Sequence, residues 1–189
     1  MARRPQVKVL VGSLRQVSVN RRLALALTGL LASEMDCALV EIGALPHYNE
    51  DDETNHGTRV KEFRKQCAAA DAFIFVTPEY NRSVPGVLKN AIDQGSRPKG
   101  LSVWKGAPSG VIGASPGVLG SCMAQQHLRN ILAALDVPVM GHPETYIHAK
   151  PGLFQEDGTV TDDAVTQFLR QWCDSFRQWT HLIKPQLSH

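Results

Sequence analysis

The run Ala72-Phe73-Ile74-Phe75-Val76 constrains this chain more than any other stretch of it. A strand with one wet face alternates apolar and polar residues, so five consecutive apolar residues mean burial on both faces. Such a strand belongs in the middle of a parallel sheet that helices cover above and below. The flanking sequence supplies the rest of that architecture. A β-branched run at 7–11 ends at Gly12, and the periodic segment 18–35 places Leu23, Leu27, Leu30 and Leu31 on one helical face. A short strand follows at 37–42, then a polar loop with Pro46 and four acids over 43–55, and a helix at 58–70. Beyond the apolar run, Pro85 opens a helix that reaches 94, Pro108 precedes a strand at 109–114, and a small-residue turn from Gly120 becomes a helix ending near 135. The fifth strand is expected at 137–140, an extension or interface segment at 143–154, and a last helix at 162–182. Strands alternating with helices in this way predict one α/β domain over 1–189, with its core at 7–182. It is a three-layer sandwich around a five-stranded parallel sheet with right-handed crossovers.

Composition narrows the function classes. With 189 residues, 43% of them hydrophobic and 20% charged, the chain supports an ordinary core without disulfides or a structural metal. The net charge of +2 is too near balance for a nucleic-acid-binding surface, so an anion site must be local. Arg3-Arg4, before Pro5, reads as a frayed, solvated terminus. No stretch of 18 apolar residues predicts a membrane span, and the lack of an export signal favours a cytoplasmic location. Cys37, Cys67, Cys122 and Cys173 lie far apart, and neither they nor the seven histidines form a metal-ligating pattern. The cysteines read as core or helix residues, and the acidic run at 50–53 as a solvated loop.

Ligands of open parallel sheets lie beyond the carboxyl ends of the strands, and three specialised loops fall there. The first, GSLRQVSVN at 12–20, combines a turn-forming Gly12 with the hydroxyls of Ser13 and Ser18, the Asn20 amide and the Arg15 guanidinium. Ahead of a helix start, that set suits a phosphomonoester, although it is neither a GxGxxG fingerprint nor a P-loop. The local chemistry alone also allows an ordinary turn in which Ser18 caps the helix. The second loop, TPEYNRSVPG from Thr77, offers strand-end backbone, the amphipathic ring of Tyr80 and hydrogen-bonding Asn81 and Ser83, stiffened by Pro78 and Pro85. Glu79 has no obvious partner in the sequence. The third, at 114–121, carries Ser115, Pro116, Gly117 and Gly120. Three such loops at the same sheet edge point to one ligand crevice.

In GSLRQVSVN at 12–20, PEYNRSVPGVLKNAID at 78–93 and GASPGVLG at 113–120, the sequence resembles the NADPH-dependent flavin mononucleotide reductase family, and within it the quinone and chromate reductase branch. The resemblance covers about residues 7–150. It implies a flavodoxin-like fold with strand order 2-1-3-4-5, noncovalently bound FMN, and a homodimer or homotetramer whose flavin sites lie near subunit interfaces. Ser13, Arg15, Ser18 and Asn20 would then surround the FMN phosphate. Pro78, Glu79, Tyr80, Asn81 and Ser83 would border the isoalloxazine or ribityl region, with Ser115, Pro116, Gly117 and Gly120 as another wall. His47-Tyr48-Asn49 matches a family loop that approaches the flavin from the side. The chain departs from the family at Gln94-Gly95, where an aromatic residue and alanine are more usual after the aspartate.

The activity this implies is hydride transfer from NADPH or NADH to FMN, followed by reduction of a quinone-like, azo, nitro or oxyanion acceptor. The cofactor carries the chemistry, so no protein nucleophile, catalytic residue or metal is expected. The alternative is an FMN-binding electron-transfer or redox-sensing protein without nicotinamide turnover.

Overall fold

In the computed structural model, which describes residues 3–187, five strands alternate with five α-helices. They are β1 (Gln6–Val11), α1 (Val19–Leu31), β2 (Asp36–Val40), α2 (Thr58–Ala68), β3 (Ala72–Val76), α3 (Gly86–Ser96), β4 (Ser109–Ser115), α4 (Cys122–Ala134), β5 (Tyr146–His148) and α5 (Asp163–Ile183). The sheet order is β2-β1-β3-β4-β5, and every neighbouring pair is parallel. This is the flavodoxin-like arrangement. All five residues of β3 are buried, as an unbroken apolar run at the sheet centre requires.

Side chains alternate across the sheet and divide the core in two. Val7, Val9, Ala72, Ile74 and Val76 pack with Leu23 and Leu27 of α1 and with Trp172 and Phe176 of α5. Leu10, Phe73 and Phe75 pack on the other face with residues of α2, α3 and α4. Each fully buried Phe or Leu contributes roughly 1.5–3 kcal/mol by leaving water. The departure at Gln94-Gly95 has its explanation here. The Trp104 indole lies directly against Gly95, where a Cβ would collide with it, and donates through Nε1 to Ile92 O at 2.9 Å. Gln94 is buried as well and donates to Pro46 O at 3.1 Å.

Two expectations are corrected. Residues 137–140 form only a single bridge, Val139 with Ser109, through Ser109 N to Pro138 O and Met140 N to Ser109 O. The fifth strand proper is Tyr146–His148, inside the segment expected as an extension. Pro138 and Pro143 lack N–H groups and interrupt the ladder, so the chain joins the sheet twice with a break between. The second correction concerns Arg3 and Arg4, which are pinned rather than frayed. Arg3 donates to both carboxylate oxygens of Asp71 at 2.8 and 3.0 Å, and Arg4 to Ala32 O at 2.8 Å. Burial pushes the Asp71 carboxyl up, but the Arg3 contact and the Gln6 amide more than offset it and hold the group below its ordinary value.

Among the described residues, no helix is long and apolar enough to cross a membrane, and no three His, Cys, Asp or Glu side chains gather as metal ligands.

Candidate active site

The loops that leave β1, β3 and β4 converge because two glycines let strand ends approach. At Gly12 a Cβ would stand 3.2–3.3 Å from Leu88 and Pro78, so a side chain there would have to push these neighbours back by a few tenths of an ångström to keep the first loop this close to the second. At Gly113 a Cβ would strike the Thr77 carbonyl and the Ser121 hydroxyl. The cleft left between the loops holds about 100 Å³. Ser13, Arg15, Ser18, Asn20, Pro78, Glu79, Tyr80, Ser115 and Pro116 line it, together with Val19 and Ala114. The last two were not anticipated, and only their positions beside a helix cap and at a strand end mark them in the sequence. Asn81, Ser83, Gly117 and Gly120 belong to the same loops but lie off the lining. His47-Tyr48-Asn49 lies off it too. That loop is held on α3, where Tyr48 N donates to Asn90 Oδ1 at 2.8 Å and Asn90 Nδ2 to Pro46 O at 2.9 Å.

The first loop is rich in unused donors. Among the described residues, the backbone amides of Ser13, Leu14, Arg15, Gln16 and Val17 meet no protein acceptor, and the Arg15 guanidinium has neither hydrogen bond nor ion pair. Two other members are committed to the fold. Ser18 Oγ accepts from Arg21 N at 3.2 Å and caps α1. Asn20 is 2% exposed, and its carboxamide grips Ala114 from both sides, Nδ2 donating to Ala114 O at 2.9 Å and Oδ1 accepting from Ala114 N at 3.0 Å. Asn20 therefore fixes the first loop to the third.

The second loop is a two-residue hairpin. Tyr80 and Ser83 exchange backbone hydrogen bonds of 3.0 Å, and Asn81 and Arg82 between them have φ of 50° and 67°. Left-handed backbone at both central positions is the twist that a tight hairpin needs, tolerated by Asn and costly for Arg. The hairpin is fastened to α4 at both ends. Glu79 Oε2 accepts from Met123 N at 2.9 Å and Ala124 N at 3.2 Å, and Ser83 Oγ lies 3.0 Å from His127 Nδ1. Ser121, at the N-cap of α4, has φ 67° and makes no side-chain cap bond. Glu79 supplies the cap instead, 44 residues away in sequence, and its charge complements the positive end of the helix. Tyr80, which lines the cleft, remains 47% exposed.

Behind the third loop, buried Gln125 donates to Thr145 O at 2.7 Å and to Ser121 Oγ at 3.1 Å, which ties α4 to β5. Gln126 bridges Glu144 and the Tyr146 hydroxyl, both at 2.9 Å. Burial and the Glu144 contact push the Tyr146 phenol up to about 12, while hydrogen bonds from Tyr146 and Gln126 hold Glu144 below the usual carboxylate range. Burial likewise pushes the Cys37, Cys67 and Cys173 thiols up to about 12, so none of the three supplies a thiolate nucleophile near neutral pH.

A donor-rich loop, a hairpin bearing a tyrosine ring and a glycine-serine wall thus stand at one edge of a sheet in the order 2-1-3-4-5. Residues 5–152 match the model of the NADPH-dependent FMN reductase family. The chain belongs to that family. It is 47% identical over 177 residues to a quinone reductase of Pseudomonas putida, covering 93% of this chain and 95% of the relative. A 2-hydroxy-1,4-benzoquinone reductase of a Burkholderia species is 42% identical over 174 residues, with 92% and 95% covered. The structure of FerB, a flavoenzyme NAD(P)H:(acceptor) oxidoreductase from Paracoccus denitrificans, superimposes with a TM-score of 0.90 at 41% identity, covering 94% of this chain and 97% of that one. As a member of the NADPH-dependent FMN reductase family, the chain is an FMN-binding, NAD(P)H-dependent oxidoreductase. Its cleft fits that cofactor in chemistry. Free amides and a free guanidinium suit a phosphate dianion, and Tyr80, Pro78 and Pro116 offer flat, mostly apolar surfaces to a ring.

Proposed function

We propose that this protein is an NAD(P)H-dependent quinone reductase, which takes hydride from a nicotinamide donor and passes the electrons to a quinone-like acceptor through FMN held in the cleft. The observation that carries this reading is the set of unclaimed donors at 13–17, in a loop whose Ser13 and Arg15 line a cleft that the other two loops wall in. Bound FMN supplies the two-electron chemistry. The loop amides, the Ser13 hydroxyl and Arg15 hold its phosphate. Ser18 and Asn20 act one step back, by capping α1 and by fixing the first loop to Ala114. Pro78, Tyr80, Ser115 and Pro116 flank the ring, whose outer face stays accessible to donor and acceptor in turn. Asn81, Ser83, Gly117 and Gly120 set the shapes of the two walls.

The working form is a homodimer or homotetramer. Leu14, Val17, Val118, Leu119 and Met123 around the cleft are 40–80% exposed, an apolar rim that a second copy covers while completing the wall.

Anaerobic titration of the FMN-loaded protein with NADPH and with NADH, followed by a quinone, tests the reading. Bleaching of the flavin by either donor and recovery of its colour on adding the quinone are expected. Retention of FMN with no bleaching by either donor would replace the reading with that of an electron carrier or redox sensor.

A further inference from the structure

A second cavity, of about 360 Å³, adjoins the cleft at the carboxyl end of β2. The two share Ser13 and Arg15, so one loop forms the partition between them. The rest of the second cavity is built from different residues: Arg21 on the first turn of α1, the apolar side chains of Leu14, Leu39 and Ile42, and Glu41. Its two guanidinium groups are both free. Among the described residues, neither Arg15 nor Arg21 makes a side-chain hydrogen bond or ion pair, as is also true of Arg82 and Arg170 outside the cavity, whereas Arg3, Arg22, Arg64, Arg97 and Arg177 all do. Glu41 is fixed, accepting from Gly43 N at 2.7 Å.

We infer that this cavity receives the adenosine end of the nicotinamide donor and that Arg21 binds its ribose 2′-phosphate, which makes Arg21 the residue that selects NADPH over NADH. The inference rests on the reading above, that a nicotinamide reduces FMN in the cleft. A quinone carries no phosphate, whereas the nicotinamide donor does, so the cavity serves the donor. A dinucleotide is longer than FMN, and one that lays its nicotinamide at the ring extends past the phosphate loop into the next space along the sheet edge. There the apolar side chains suit an adenine face, and the Glu41 carboxylate suits a ribose hydroxyl. The guanidinium forks suit a phosphomonoester dianion, which NADH lacks. In other dinucleotide sites a carboxylate on the ribose 2′-hydroxyl goes with NADH and an arginine at the 2′-phosphate goes with NADPH, so here Glu41 is left to the ribose 3′-hydroxyl while Arg21 takes the 2′-phosphate. Arg15 faces both cavities and is already engaged by the FMN phosphate. Arg21 lines only the second, so discrimination falls to it.

The test compares the FMN-loaded wild type with Arg21→Ala, whose exposed helical position favours alanine as a helix former. Steady-state KM is measured for NADPH and for NADH with one quinone, FMN content is read on the same samples, and calorimetry compares binding of 2′,5′-ADP and 5′-ADP. The wild type is expected to bind 2′,5′-ADP about tenfold more tightly than 5′-ADP, the scale of one charge-assisted contact. The variant should lose that margin and shift the ratio of the two KM values toward NADH by a similar factor. Equal changes for the two donors, an undiminished margin for 2′,5′-ADP, or loss of FMN from the variant would each overturn the assignment. If neither donor bleaches the flavin of the wild type, the quinone reductase reading fails by itself, and the two ADP isotherms still decide whether Arg21 recognises a 2′-phosphate.

Discussion

The first loop and the hairpin face each other across the cleft and are built on opposite plans. From Ser13 to Val17 the first loop makes no backbone hydrogen bond as donor, and it is held only at its ends, by Gly12 N to Val76 O at 2.8 Å and by Asn20 to Ala114. The hairpin is closed by its own pair of backbone bonds and bolted to α4 through Glu79 and Ser83. A loop that spends its donors on itself has none left for an anion, whereas a wall needs only a fixed shape. On the function proposed above, the difference gives affinity to the first loop and geometry to the second.

Breaking the attachment of the first loop should cost the most. Asn20→Ala leaves the N–H and C=O of Ala114 buried and unpaired, at about 1–3 kcal/mol for each group. A loss of about 2–6 kcal/mol in urea unfolding is therefore expected, together with weaker FMN retention. Arg15→Ala is next and affects binding alone. Loss of a charge-assisted phosphate contact should weaken FMN by roughly 10–100-fold in a fluorescence titration while the urea midpoint stays in place. Glu79→Ala removes the remote cap of α4, which should cost about 0.5–2 kcal/mol and loosen the hairpin, seen as faster hydrogen exchange at Tyr80 and Ser83. Glu79→Gln keeps an acceptor for the two amides and should recover most of that loss. The division of labour between the loops fails if Glu79→Ala releases FMN more readily than Arg15→Ala does.

The smallest effect concerns the thiols. Cys37, Cys67 and Cys173 stay protonated in the folded protein up to about 12, against an ordinary value of 9.0. Their contribution to stability is therefore complete below pH 9 and declines as pH rises from there toward 12, because only the unfolded chain releases these protons in that window. Alkylation of the native protein at pH 8, followed by mass spectrometry, should leave all three unmodified, and adding urea should expose them together.

Four of the five strands were legible in the sequence, since each is an apolar run ended by Gly, Pro or a polar loop, and the Leu and aromatic spacing marked the long helices. The fifth was not, because Val137 to Met140 has strand composition while the sheet edge uses Tyr146–His148, a segment too short to carry a pattern. At the site, residue type alone pointed to all three loops. What escaped was the division among their residues. Nothing near Glu79 in the chain shows that its partners are the amides of residues 123 and 124, and nothing near Asn20 shows that it belongs to Ala114. Both depend on contacts that exist only after the sheet has closed.

The Asn20 carboxamide reaches across 94 positions of chain to Ala114. As the polypeptide emerges in order, β1, α1 and the loop between them are complete long before their anchor has been made. The first loop thus acquires its final shape only once β4 is laid beside β3, when the other two loops are also taking their places. On the function proposed above, cofactor affinity therefore comes late, and a chain that stops short of residue 114 has the sequence of the first loop without the anchor that shapes it.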